Sequence, residues 1–198
     1  MAQVAENREF LAVQLSKHFY LSELTKSQTA ARKGWNNIPD AKGISKLRLL
    51  CEKVLEPVRA EFGVTVCSSG YRSPRVNRAV GGSKTSQHRL CEAADFEVPG
   101  VANPDVARWM ERRLNYDQLI LEFYKRGQPN SGWIHVSYRE GRLRNMEMTA
   151  LRVKRLGRWK TVYITGLVTN YVIEEAESNM NWWEEIKLFF TGQVLLPA

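Results

Sequence analysis

The chain has 198 residues, 43% of them hydrophobic and 25% charged, with a formal net charge of +8. That length and balance fit one domain, two at most, with a real core, and they exclude wholesale disorder. The positive excess points to an anionic partner, a role that nucleic acid, acidic lipid or acidic cell-wall polymer would each fill.

The opening "MAQVAENREFLAVQL" has early acidic residues and no apolar core of a signal peptide, and nowhere do the roughly 20 apolar residues of a membrane span occur. The expectation is a soluble protein made in the cytoplasm without a signal peptide. In residues 44–63, Ile44, Leu47, Cys51, Val54, Leu55 and Val58 fall at helical spacing, with Gly63 as a stop. Pro57 interrupts the pattern, so the helix must kink or be rebuilt there. Residues 64–69 read as a strand and 75–80 as a short helical turn before Gly81-Gly82. "CEAADFEV" (91–98) alternates as a strand and ends at Pro99. "NPDVARWMERRL" (103–114) starts a helix, with Asn103 as N-cap and Pro104 in its first turn.

"QLILEF" (118–123) and "GWIHVSY" (132–138) read as strands of a hairpin joined by the polar loop 124–131, and two further strands fall near 145–153 and 159–165. Helices and antiparallel strands mix without βαβ regularity, which predicts an α+β class with a small antiparallel sheet flanked by helices. Residues 1–167 read as one domain and 168–198 as a C-terminal extension. Charge divides the last third: 139–160 is strongly basic, whereas 174–198 carries five Glu and one Lys. Met180, Trp183, Ile186 and Phe190 would share one face of an amphipathic helix there, docked on the domain or, less readily with an acidic polar face, on a membrane or partner. Cys51, Cys67 and Cys91 are too few and odd in number for a disulfide framework.

The chain has three histidines, and one of them, His88, lies seven residues before Asp95 in an apolar run that reads as a strand. A hydrolytic zinc site needs three N or O ligands and an open position. Strand parity puts Ala93, Asp95 and Glu97 on one face, and Trp133, His135 and Ser137 on one face. His88 from the preceding loop, with Asp95 and His135, makes the natural trio. Taken singly, each has a plainer reading: a chance His-Asp spacing, or a hydrogen-bonded histidine within a sheet. His18 reads as structural or surface. Cys91 reads as a small filler beside the site, with a fourth ligand or reactive thiol as the alternatives.

"SSGYRSPRVNRAVGGSKTSQHRLCEAADFEV" (68–98), "YDQLILEF" (116–123) and "SGWIHVSY" (131–138) together resemble the D-Ala-D-Ala carboxypeptidase-like zinc peptidases of the hedgehog/DD-peptidase fold, in particular their phage and prophage branch. "FYLSELTKSQTAARKGWNNIP" (19–39) is similar to that branch as well, so the resemblance covers residues 19–166. It implies zinc held by His88, Asp95 and His135. It also implies that Arg72 faces the site to bind a substrate carbonyl or carboxylate, a role suited to a guanidinium, with a loop salt bridge as the plainer reading. Ser86, Gln87 and Trp133 are further expected substrate contacts. The implied activity is hydrolysis of peptidoglycan stem peptides, as a carboxypeptidase or cross-link endopeptidase, by an endolysin or virion-associated lysin released by a holin or delivered in a virion.

Two positions depart from the family pattern. Cys91 stands where glycine is usual, so a positive φ there would force the loop to adjust. Gly132 stands where many relatives carry the acidic general base, three residues before the last histidine. Glu122 is the expected replacement: a symmetric hairpin would pair residue 122 with 135 and 123 with 134, and a one-residue slip would turn Glu122 away. Glu97, Asp117 and Glu92 are the next candidates. A non-catalytic virion or wall-binding protein is the alternative function. A nucleic-acid binder using 139–160 is a weaker one, for no specific nucleic-acid motif accompanies the charge; anionic wall polymers are the expected partners of that region.

Overall fold

The computed structural model describes residues 12–155 and 157–170. The amphipathic helix expected around Met180–Phe190 lies outside these. Among the described residues, six α-helices, one π-helical and one 3-10 segment, and one six-stranded sheet make up an α+β fold. The helices are α1 (Leu21–Thr25), α2 (Gln28–Lys33), α3 (Ala41–Leu50), α4 (Glu56–Phe62), α5 (Pro74–Ala79) and α6 (Asn103–Arg113). The strands are β1 (Val66–Ser69), β2 (Ala93–Glu97), β3 (Gln118–Glu122), β4 (Trp133–Ser137), β5 (Met146–Arg155) and β6 (Arg158–Thr165).

Asp40 caps α3 by accepting from the Gly43 N–H at 2.7 Å, so this helix begins earlier than the apolar spacing alone predicts. The expected irregularity at Pro57 is a π-helical segment, Cys51–Leu55, joining α3 to α4. Proline has no N–H to donate and its ring crowds the carbonyl four residues back, and the widened turn takes up both defects. Asn103 is not the N-cap of α6. Its side chain makes no cap bond and instead donates to the Ser131 and Gly132 carbonyls at 3.3 and 3.2 Å. A residue chosen by sequence as a helix start is thus a tether for the loop leading into β4.

The strand order is β1-β2-β4-β3-β5-β6. All neighbours are antiparallel except β3 and β5, which are parallel. Strand parity separates two faces. Ala94, Phe96, Leu119, Ile134 and Val136 join Leu47, Leu50, Val54, Val58 and Met110 from the helices in one buried core. The opposite face carries Asp95, Trp133, His135, Ile120 and Glu122, and this is where the chemistry collects.

The hairpin register differs from the symmetric expectation. Glu122 pairs with Trp133, and His135 pairs with Ile120. Phe123 leaves the strand in the left-handed region, φ 56°, and Gly132 enters with φ 70°. A Cβ at Gly132 would lie 1.9 Å from the Glu122 carbonyl oxygen, so the backbone closes tightly there and the connection spans 123–132. The offset is two residues in the pairing, which preserves parity and leaves Glu122 on the His135 face as a diagonal neighbour.

Candidate active site

His88 lies on a short 3-10 turn, Gln87–Leu90, that ends at Cys91. Cys91 itself takes the left-handed conformation, φ 59°, so the loop has not readjusted around the missing glycine. The strained backbone is accepted where the thiol is buried in the core. Burial, the leading cause, pushes the Cys91 thiol up to about 12, which makes it a poor nucleophile and favours the filler reading. Asp95 is central in β2, and His135 pairs with it across β4.

All three side chains are buried, at 4%, 5% and 7% exposure for His88, Asp95 and His135. Their donor atoms form a small triangle. His135 Nδ1 lies 2.8 Å from Asp95 Oδ1, His88 Nε2 lies 3.2 Å from the same oxygen, and the two imidazole nitrogens are 3.2 Å apart. Burial opposes ionisation of Asp95, but the charge and hydrogen bonds of His88 and His135 hold its carboxyl well below the usual range.

The surroundings orient this triangle. His88 Nδ1 donates to the Gly70 carbonyl at 2.6 Å, so in the neutral imidazole that a metal needs, Nε2 carries the lone pair on the side of the other two atoms. Arg72 donates from Nη2 to Asp95 Oδ2 at 2.6 Å and from Nε to Ser69 Oγ at 2.8 Å. Two of its nitrogens are therefore committed to holding the site, a role closer to the salt-bridge reading than to open substrate capture. A family model described as Peptidase M15 matches residues 17–137, and a search of curated proteins gives no match.

The chain belongs to the Peptidase M15 family. As an M15 peptidase it is a metallopeptidase, and among the described residues His88, Asp95 and His135 form a group that could hold a metal ion. Zinc bonded at 2.0–2.2 Å in a tetrahedron spaces its donors by about 3.3–3.5 Å. The observed 2.8–3.2 Å triangle needs only to open by a few tenths of an ångström. Two imidazole nitrogens and one carboxylate oxygen are also the donor set zinc favours, so the residues present fit the ion.

The other expected site residues of this M15 peptidase divide. Glu122 sits half-buried on the metal face at the end of β3. Burial first, and then the Asp95 charge, push its carboxyl upward, while His135 and Arg72 partly offset the rise. That places a carboxylate of raised basicity beside the triangle. The Trp133 indole N–H lies near enough to favour the charged form of Glu122 but makes no hydrogen bond of normal geometry, and its nitrogen is buried without a partner. Gly132 leaves no space for any side chain, let alone an acid.

Gln87 commits its amide nitrogen within the protein: Nε2 donates to Asp117 Oδ2 at 2.6 Å. Asp117 is in turn held by Arg144 through Nε and Nη2 at 2.5 and 2.7 Å. Ser86 is half-buried at the entry to the 3-10 turn, where its carbonyl accepts from Arg89 N–H. Of the fallback bases, Asp117 is saturated by this pair, and Glu92 binds Lys46 Nζ at 2.6 Å through Oε1. The Gln87–Asp117–Arg144 chain, which steadies the residue before His88, was missed by sequence reasoning. Its only signal is the charge of Asp117 at the head of an apolar strand.

Proposed function

We propose that this M15 peptidase is a zinc-dependent peptidoglycan peptidase of phage type, a carboxypeptidase or cross-link endopeptidase acting at D-amino acids of the stem peptides. The carrying observation is the triangle of His88 Nε2, Asp95 Oδ1 and His135 Nδ1 with Glu122 on the same face of the sheet. Zinc held there supplies Lewis acidity to the scissile carbonyl and lowers the pKa of water to about 7. Glu122 takes the proton from the attacking water and returns it to the leaving amine. Arg72 fixes Asp95 in direction through Nη2, and Nη1, which binds neither Asp95 nor Ser69, is the donor left for the developing oxyanion. The Trp133 ring, half-exposed on the metal face beside Glu122, is the expected packing surface for the stem peptide. The exposed cations of 139–160, among them Arg139, Arg142, Arg152 and Lys160, attract anionic wall or envelope polymers. The protein reaches the wall after holin-type release or virion delivery.

Gly132 in place of an acid favours one alternative, a non-catalytic virion or wall-binding protein that keeps the fold. Incubating the purified protein with peptidoglycan, with and without a zinc chelator, and identifying fragments by mass spectrometry separates the two. Chelator-sensitive release of stem-peptide fragments is the expected result. Retention on the wall with no fragments would establish the alternative.

A further inference from the structure

Strand pairing carries the site beyond its metal face. Trp133 on β4, Glu122 on β3, Ala150 on β5 and Tyr163 on β6 stand in one row across the sheet, each directly opposite the next, with side chains on the same face. Two strand spacings put the Tyr163 backbone about 10 Å from that of Glu122. Only the methyl of Ala150 stands between them, so the long phenol side chain can cross it. The phenol is raised first by burial and then by the Glu122 and Asp95 carboxylates, which places it within electrostatic reach of both. Even so, Tyr163 is 55% exposed, as a residue that meets a ligand from solvent must be.

The neighbouring row continues the wall. Arg152 pairs with Thr161 on the same face, and its guanidinium carbon lies 5.8 Å from the centre of the Phe123 ring. That ring stands edge-on to Trp133 with centroids 5.1 Å apart. Farther out on the same face Trp159 is 62% exposed. An aromatic and cationic arc thus borders Glu122, and the β5–β6 hairpin that supplies its outer part lies beyond the family match at 17–137.

We propose that the β5–β6 hairpin is the substrate wall of this site, with Tyr163 the specificity residue that contacts the stem peptide beside Glu122 and Arg152 pairing with a peptide carboxylate. This rests on the peptidase reading above. A stem peptide suits such a wall, because its flat amides pack on an aromatic ring, its carbonyls accept from a phenol O–H, and its free carboxylates match a guanidinium.

The test is steady-state kinetics of the zinc-loaded full chain on a synthetic stem pentapeptide ending in D-Ala-D-Ala and on a purified cross-linked muropeptide dimer. Tyr163→Ala should raise KM by about tenfold through loss of the ring surface that the bound peptide would cover. Tyr163→Phe should lose about fivefold in kcat/KM through the missing hydroxyl, and it serves as the informative variant if the alanine protein folds poorly. Val162→Thr, on the opposite face of β6, should change neither. Zinc content and thermal midpoint should be the same throughout. Wild-type activity with both Tyr163 variants within twofold of it overturns this inference and leaves the peptidase reading standing. No chelator-sensitive cleavage of either substrate by the wild type overturns the peptidase reading, and this inference with it.

Discussion

Three side chains can be separated by what each variant keeps. His135→Ala removes one corner of the donor triangle and should abolish zinc uptake and activity together, as measured by elemental analysis beside a peptidoglycan assay. Arg72→Lys should retain zinc, because Arg72 touches only the Asp95 oxygen outside the triangle. It should lose about tenfold or more in kcat/KM, since an ammonium cannot hold Asp95 and Ser69 at once in the geometry of the guanidinium fork. Glu122→Gln should keep fold and zinc and lose at least about a hundredfold in kcat. The sign of its pH effect follows from the raised carboxyl. Glu122 must be ionised to act as base, so kcat/KM should have an acidic limb that vanishes in the Gln variant, while in the metal-free protein burial and the Asp95 charge place the Glu122 titration above the ordinary carboxylate range. Its stability effect runs the other way: a carboxyl raised on folding favours the protonated form, so its contribution falls as pH rises through that window. The residues of the triangle were legible in the sequence because histidine is scarce here and strand parity limits which face each side chain takes. The engagement of Arg72 with Asp95 was not, because spacing reports that two charges can meet but not which atoms do.

At the level of elements, the apolar periods located β1, β2, β3 and β4 and the α3–α4 region well, since burial against one core writes a period into each. Register and caps fared less well. The symmetric hairpin failed because nothing in residues 124–131 announces that Phe123 adopts a left-handed backbone or that Gly132 abuts the Glu122 carbonyl. Asn103 was misread as a cap because a side chain that tethers a distant loop looks, in sequence, the same as one that caps its own helix. Cys91 shows the reverse, a backbone requirement foreseen at a residue that meets it without glycine. These contacts yield a prediction specific to the β3–β4 connection. Restoring an acid by Gly132→Asp should not rescue a Glu122→Gln protein. With φ at 70° and 1.9 Å of clearance the new side chain cannot be seated, and thermal unfolding should show a loss of about 3 kcal/mol or more, against little change for Glu122→Gln alone.

Across the whole molecule, the α+β class and the single sheet follow from the sequence pattern, whereas the parallel pairing of β3 with β5 does not, because the crossover between them is short on signals. The net charge of +8 is carried in part by the hairpin that flanks the site. Binding to intact walls should therefore weaken steeply as salt rises from low to physiological strength, while turnover of a soluble neutral peptide should not. Sedimentation with purified walls, set against soluble-substrate kinetics, measures the two separately. The Arg72–Asp95 pair has one more consequence, for the choice of ion. With Oδ2 held by the guanidinium, Asp95 can give a metal one oxygen and never two. Calcium gathers six to eight oxygens and often chelates a carboxylate through both, and magnesium demands six ligands in an octahedron. A site of two imidazoles and a single carboxylate oxygen suits neither, so the Arg72 contact would bias the choice of ion by withholding an atom.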